Sequence, residues 1–192
     1  MTSQRNSSRV SDDVLLDAAR ECVLSFGVRR TTLTDIAKRA GTSRMTVYRR
    51  FPGVTSVVAA LMTREFAQLL TPVETCATAR ENLVASAVRA TKALVADPLM
   101  TSVLDRDAEL LLPYLVQRIG STQRLAEKFI TEQLTAGHAD GSVRQGPTAA
   151  QTRMFFLTVQ AFVISHRPAG ADVAEDDLLA ELAASLDHGL RP

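Results

Sequence analysis

Tryptophan is absent from this chain, and its 192 residues hold only two tyrosines and two cysteines. The cysteines, Cys22 and Cys76, make no disulfide framework and no CxxC zinc pair. Their scarcity suits a reducing compartment. Apolar stretches such as residues 57–62 fall far short of the roughly 20 residues that span a bilayer. The N-terminal MTSQRNSSRVSDD has no apolar h-region, so no signal peptide is expected. These absences predict a soluble, cytoplasmic protein that engages no membrane.

Catalytic and metal signatures are missing too. His138, His166 and His188 stand apart, without metal-ligand spacing. No GxSxG, HExxH or glycine-rich phosphate loop occurs, so an enzyme is not expected, nor any metal or cofactor. Asp105, Asp107 and Glu109 read as acids in the first turn of a helix rather than as a catalytic cluster.

Net charge is nearly absent as well, at +1 from 22 basic and 21 acidic residues. The distribution is uneven. Residues 1–51 hold ten Lys and Arg against five Asp and Glu, a net of +5, and the remainder carries −4. Such asymmetry raises the expectation of a polyanion partner for the N-terminal part.

Hydrophobic residues make up 46% and charged residues 22%, enough to bury a core. Gaps free of Gly and Pro are mostly helix-sized, as in 54–71, 73–97, 121–136 and 171–188. Within them the apolar spacing is helical: Leu15, Ala18, Ala19, Cys22, Val23 and Phe26 share one face. No segment alternates as a strand does. The expected fold is all-α, with about nine to ten helices. Gly27 reads as a left-handed C-terminal cap, residues 137–147 as a loop, and residues 1–11 as a flexible polar arm. The run 154–164 is apolar nearly all round and has to be covered on two sides.

The informative stretch is TLTDIAKRAGTSRMTVYRRF at 32–51. Thr32 and Asp35 fit a capping box. A short helix follows, Gly41 breaks it, and Thr42 or Ser43 caps a second short helix over 44–50. Two short helices around a glycine turn form a helix-turn-helix signature. Val47 and Phe51 anchor the second helix, leaving Arg44, Met45, Thr46, Tyr48, Arg49 and Arg50 outward. Arg44 sits where such a helix meets base edges, and arginine reads guanine O6 and N7. Thr46, Tyr48, Arg49 and Arg50 suit phosphate oxygens, and Ser43 joins the candidate DNA-contacting set. The alternative is a solvated basic face on a helical interaction module.

Residues 15–57 resemble the DNA-binding domain of the tetracycline-repressor (TetR) family of bacterial transcription regulators. The resemblance rests on LLDAA at 15–19, Gly27, TT at 31–32, DIA at 35–37, AG at 40–41 and TVYRRF at 46–51. It implies base reading by Arg44 and Met45 with help from Thr34, and phosphate contacts at Thr46, Tyr48 and Arg50. It also lends Arg5 and Arg9 of the arm a minor-groove role. Three positions depart from the family: Met45 stands where Gly is frequent, Val23 where Phe is, and Val54 where a phosphate-contacting Lys is common.

The resemblance divides the chain into a DNA-binding domain at 1–53 and a ligand-binding, dimerisation domain at 54–192. It implies a homodimeric repressor, released from a palindromic double-stranded DNA operator by a small effector. Few central charges point to an apolar or weakly polar effector. Met62, Phe66, Met100, Tyr114, Phe129 and Phe155 are the pocket candidates. Phe155, Phe162, Leu179 and Leu186 are the dimer-interface candidates.

Overall fold

The computed structural model describes residues 10–72 and 76–192. Arg5 and Arg9 of the arm lie outside the described residues. The described residues form ten α-helices and one 3₁₀ turn, with no strand. The order is α1 (Asp12–Phe26), α2 (Leu33–Arg39), α3 (Arg44–Arg50), α4 (Val54–Leu69), α5 (Ala79–Ala96), α6 (Pro98–Arg106), a 3₁₀ turn (Ala108–Leu110), α7 (Leu112–Val116), α8 (Ser121–Ala139), α9 (Thr148–Ala169) and α10 (Glu175–Leu190). No helix is long and apolar enough to cross a membrane among the described residues.

Side chains set the helix starts. The Ser11 hydroxyl accepts from the Val14 N–H at 3.3 Å and opens α1. Thr78 and Glu81 form a capping box at α5. Pro98 takes the first position of α6, where its missing N–H costs nothing, and Asp97 caps it.

Two apolar cores result. The first joins α1, α2, α3, α4 and α6 through Leu15, Val23, Ile36, Val47, Leu61 and Val103. It runs without a break across residue 53, because Val57, Val58 and Leu61 of α4 pack on α1. The second joins α5, α8, α9 and α10 through Leu83, Leu134, Phe155, Leu182 and Leu186.

Burial within the chain changes the reading of three residues offered for a dimer contact. Phe155, Leu179 and Leu186 are buried within this chain, at 5% exposure or less. They hold α9 and α10 in place and present no outer surface. Phe162 packs partly on the same core and stacks on the His166 ring at 6.4 Å between centroids. The outward face of α9 instead carries Met154 and Leu157, exposed by 63% and 43%, and Ala161 one turn further on.

The expected loop at 137–147 begins later, because α8 continues to Ala139. Gly137 is helical and buried, and Val143 packs into the space its side chain would fill. Close approach, not chain reversal, requires this glycine.

Candidate nucleic-acid interface and internal cavity

The helix-turn-helix follows from local chemistry. The Asp35 N–H donates to Thr32 Oγ1 at 3.1 Å, and the Thr32 N–H donates to Asp35 Oδ2 at 3.1 Å. The hydrogen bond from the Thr32 hydroxyl holds the Asp35 carboxyl below its usual range. Gly41 turns the chain with φ 63°, a value that favours glycine. Ile36 of α2 and Val47 of α3 are fully buried in the first core. Each such burial contributes about 1.5–3 kcal/mol, which fixes the face that α3 turns outward.

That face exposes Arg44, Met45, Tyr48 and Arg49, with Met45 at 76% and Tyr48 at 54%. No ion pair among the described residues engages Arg44 or Arg49. The other candidates are less free. Ser43 is the N-cap of α3: its Oγ accepts the Thr46 N–H at 3.2 Å and lies 2.9 Å from Thr46 Oγ1. The Arg50 guanidinium donates to Asp12 at 2.9 Å, tying α3 to the start of α1. Thr34 is half-buried on α2, and Val54 is half-buried against the first core at the start of α4.

Behind this unit lies a cavity of about 480 Å³, lined by α4, α5, α6, α7, α8 and α9, the segments joining them, and Val28 of the α1–α2 connection. That size fits a small organic ligand. Met62, Phe66, Met100 and Tyr114 line it. Phe129 and Phe155 do not; both pack in the second core. On α9 it is Phe156, Val159, Gln160, Val163 and Ile164 that face the cavity. Phe155 and Phe156 are neighbours about 100° apart around the helix: Phe155 is buried in the second core, while Phe156 packs partly on that core and also meets the cavity. The 0, 3, 4, 7, 8 spacing from Phe156 was visible in the sequence, but the run is apolar all round and its pattern selects no face.

Polar groups interrupt this wall, Thr55, Gln68, Ser121 and Thr122 among them. The Gln123 amide donates to Gln160 Oε1 at 2.7 Å and to the Tyr114 carbonyl at 2.9 Å. Elsewhere, Glu65 of α4 and Asp97 at the start of α6 line the cavity. Arg20 of α1 reaches both, 3.7 Å from Glu65 and 3.4 Å from Asp97.

A second link joins the cavity wall to the helix-turn-helix. Asp107, 1% exposed, accepts the Val28 N–H at 2.7 Å and the Arg29 N–H at 3.2 Å. Arg29 also pairs with Glu109 at 2.5 Å, and Asp105 pairs with Arg167. The expected first turn forms only in part: Asp107 precedes the 3₁₀ turn and Glu109 lies in it, while Asp105 belongs to the end of α6. The three acids fasten the end of α6 and the following turn to the α1–α2 connection and to α9. Gly27 sits in the same joint with φ 79° and ψ 166°, a combination open essentially to glycine. It is not the left-handed cap its position suggested, and a Cβ there would lie 3.1 Å from Asp107 Oδ2.

Other sequence candidates are structural. Cys22 is buried in the first core, and burial pushes its thiol pKa up, away from reactivity. His138 lies 2.9 Å from Gln151 Oε1.

Comparison with known proteins agrees with this geometry. The family model for bacterial regulatory proteins of the tetR family matches residues 15–61. An uncharacterized HTH-type transcriptional regulator of Mycobacterium tuberculosis is 36% identical over 191 residues, covering 99% of this chain and 97% of its own. Among solved structures, the transcriptional regulator FadR from Bacillus subtilis in complex with stearoyl-CoA superposes with TM-score 0.66 at 20% identity, covering 94% of this chain and 100% of that one. The SmeT–triclosan complex superposes with TM-score 0.60 at 22% identity, over 94% of this chain and 91% of that one; SmeT is the repressor of a Stenotrophomonas maltophilia multidrug efflux pump. At these identities the two structures share the fold. The chain belongs to the tetR family of bacterial regulators, DNA-binding transcription factors rather than enzymes.

Proposed function

We propose that this regulator is a cytoplasmic homodimeric repressor, released from a palindromic operator by a small, largely apolar ligand in the 480 Å³ cavity. The observation that carries the reading is the pair of links, Arg20 and Asp107, between cavity wall and DNA-reading unit. Residues 1–53 read DNA and 54–192 bind ligand and dimerise, with α4 shared between them. Arg44 and Met45 reach base edges, helped by Thr34. Tyr48 and Arg49 hold phosphates, while Ser43 and Thr46 shape the helix start and Arg50 contacts phosphate once released from Asp12. The outward face of α9, with Met154 and Leu157, supports pairing with a second copy, which would set two α3 helices about 34 Å apart or a multiple of it.

Ligand shifts the population toward a state whose α3 helices are wrongly spaced for consecutive major grooves. The complexes of FadR with stearoyl-CoA and of SmeT with triclosan support a small-molecule ligand for a protein of this fold. A gel shift with the DNA flanking the protein's own gene tests the proposal. The dimer binds at low salt, Arg44→Ala loses sequence preference, and Tyr48→Phe weakens binding to every sequence. Absence of binding by folded protein at low salt would end it.

A further inference from the structure

The charge of the cavity wall narrows the ligand class. Glu65 and Asp97 line the cavity, and no Lys, Arg or His does so among the described residues. Each carboxylate keeps one oxygen engaged by its own surroundings. Glu65 Oε1 accepts from Arg64 at 2.7 Å and 3.1 Å. Asp97 Oδ1 accepts the Met100 N–H at 2.9 Å and caps α6. The second oxygens, Glu65 Oε2 and Asp97 Oδ2, both face Arg20. At 3.7 Å and 3.4 Å these contacts are well beyond the 2.7–2.9 Å of a strong charge-assisted bond. Phe66 and Phe156 also line the cavity and can offer ring faces that attract a cation. Tyr114 lines it too, with the exposed Arg118 already 5.0 Å from its ring.

We propose that the ligand is an amphiphilic cation, an amine or ammonium on an apolar body, whose charged end takes the place of Arg20 between Glu65 and Asp97. This rests on the reading of the cavity as the effector site. The apolar body fills the space between α4, α6 and α9, where the wall is aliphatic and aromatic. A carboxylate or phosphate at the same end could not take the place of Arg20, because with Arg20 displaced it would meet the like charges of Glu65 and Asp97. The exchange also supplies the readout. Arg20 is the side chain of α1 whose charge reaches both carboxylates, adding to the apolar packing of α1 on α4 and α6. A ligand cation that occupies both carboxylates gains its full contacts only where Arg20 has left, so it favours the released state by that difference.

The test uses one chain length with three head groups on the intact protein: decyltrimethylammonium, decanol and decanoate, each below its micelle concentration, by titration calorimetry. The cation binds at least about tenfold tighter than the alcohol, and the carboxylate binds weakest. Glu65→Gln removes the preference, and Ala59→Phe, which fills the cavity, removes the binding. Decanol or decanoate binding as tightly as the cation, with loss in Ala59→Phe, overturns the ligand class and leaves the cavity as an effector site. Cation binding that survives Ala59→Phe places it on the acidic surface and also overturns the proposal. If none of the three binds, both the ligand class and the effector reading fall.

Discussion

Asp107 accepts the Val28 N–H at 2.7 Å, joining positions 79 residues apart. The carboxylate is almost fully buried, and its other oxygen takes the Arg29 N–H. Asp107→Ala leaves two backbone donors without a partner and is expected to destabilise the fold by about 2–4 kcal/mol. Asp107→Asn keeps one acceptor and costs less. Urea unfolding measures both. In Asp107→Asn, ligand binding survives while its effect on DNA affinity shrinks, readable as a smaller shift in a gel-shift titration.

Arg50 is held by Asp12 at 2.9 Å. As an exposed pair this adds little stability, but it withholds a charge from the DNA face. Asp12→Asn is expected to tighten binding to all sequences several-fold and to steepen the salt dependence by up to about one unit per subunit. The loss of an acid from the first turn of α1 costs under about 1 kcal/mol. A log–log plot of affinity against salt decides the matter. An unchanged slope would show that Arg50 does not reach phosphate.

Gly137 lies inside α8, where alanine is intrinsically better by about 1 kcal/mol. A Cβ at this position would nevertheless overlap Val143 Cγ2. Gly137→Ala is therefore expected to destabilise by about 1–3 kcal/mol. Adding Val143→Ala recovers part of that loss, so the two substitutions are not additive. Thermal unfolding of the two single variants and the double variant gives the coupling directly.

Asp140 joins the end of α8 to the start of α5. It lies 2.9 Å from the Ser142 N–H and 2.8 Å from the Ala79 N–H. Hydrogen bonding from Ser142 and Ala79 holds its carboxyl below the ordinary 3.8. A pKa lowered in the folded state adds stability above the unfolded value, and that stability is lost as pH falls through the folded one. Melting temperature is expected to fall as pH drops below the ordinary carboxyl value of 3.8. Asp140→Asn is less stable at neutral pH and shows a shallower acid limb. Parallel acid limbs in the two proteins would refute the assignment.

Much of the DNA-reading unit was legible in the chain because its determinants are local. Thr32 and Asp35 are three residues apart, Gly41 marks its own turn, and Val47 is the apolar anchor of a short helix. Adjacent residues decide these features, so spacing reveals them. The helical class was equally legible, since period and punctuation repeat along the chain. Sequence alone did not distinguish Phe155 from Phe156, because both sit in a run apolar on every side. Only the packing of α9 against α8 and α10 decides which ring is buried in the core and which also meets the cavity. The same holds for Asp107, Arg20 and Gly137. Asp107 is an acid in an acidic stretch until α6 is laid against the α1–α2 turn. Gly137 is a loop signal until Val143 fills its space. The sequence by itself determined a tetR-type reading head on an all-helical body. Tertiary structure decided the cavity wall, its charge and its two links to that head, because each depends on partners that spacing along the chain does not bring together.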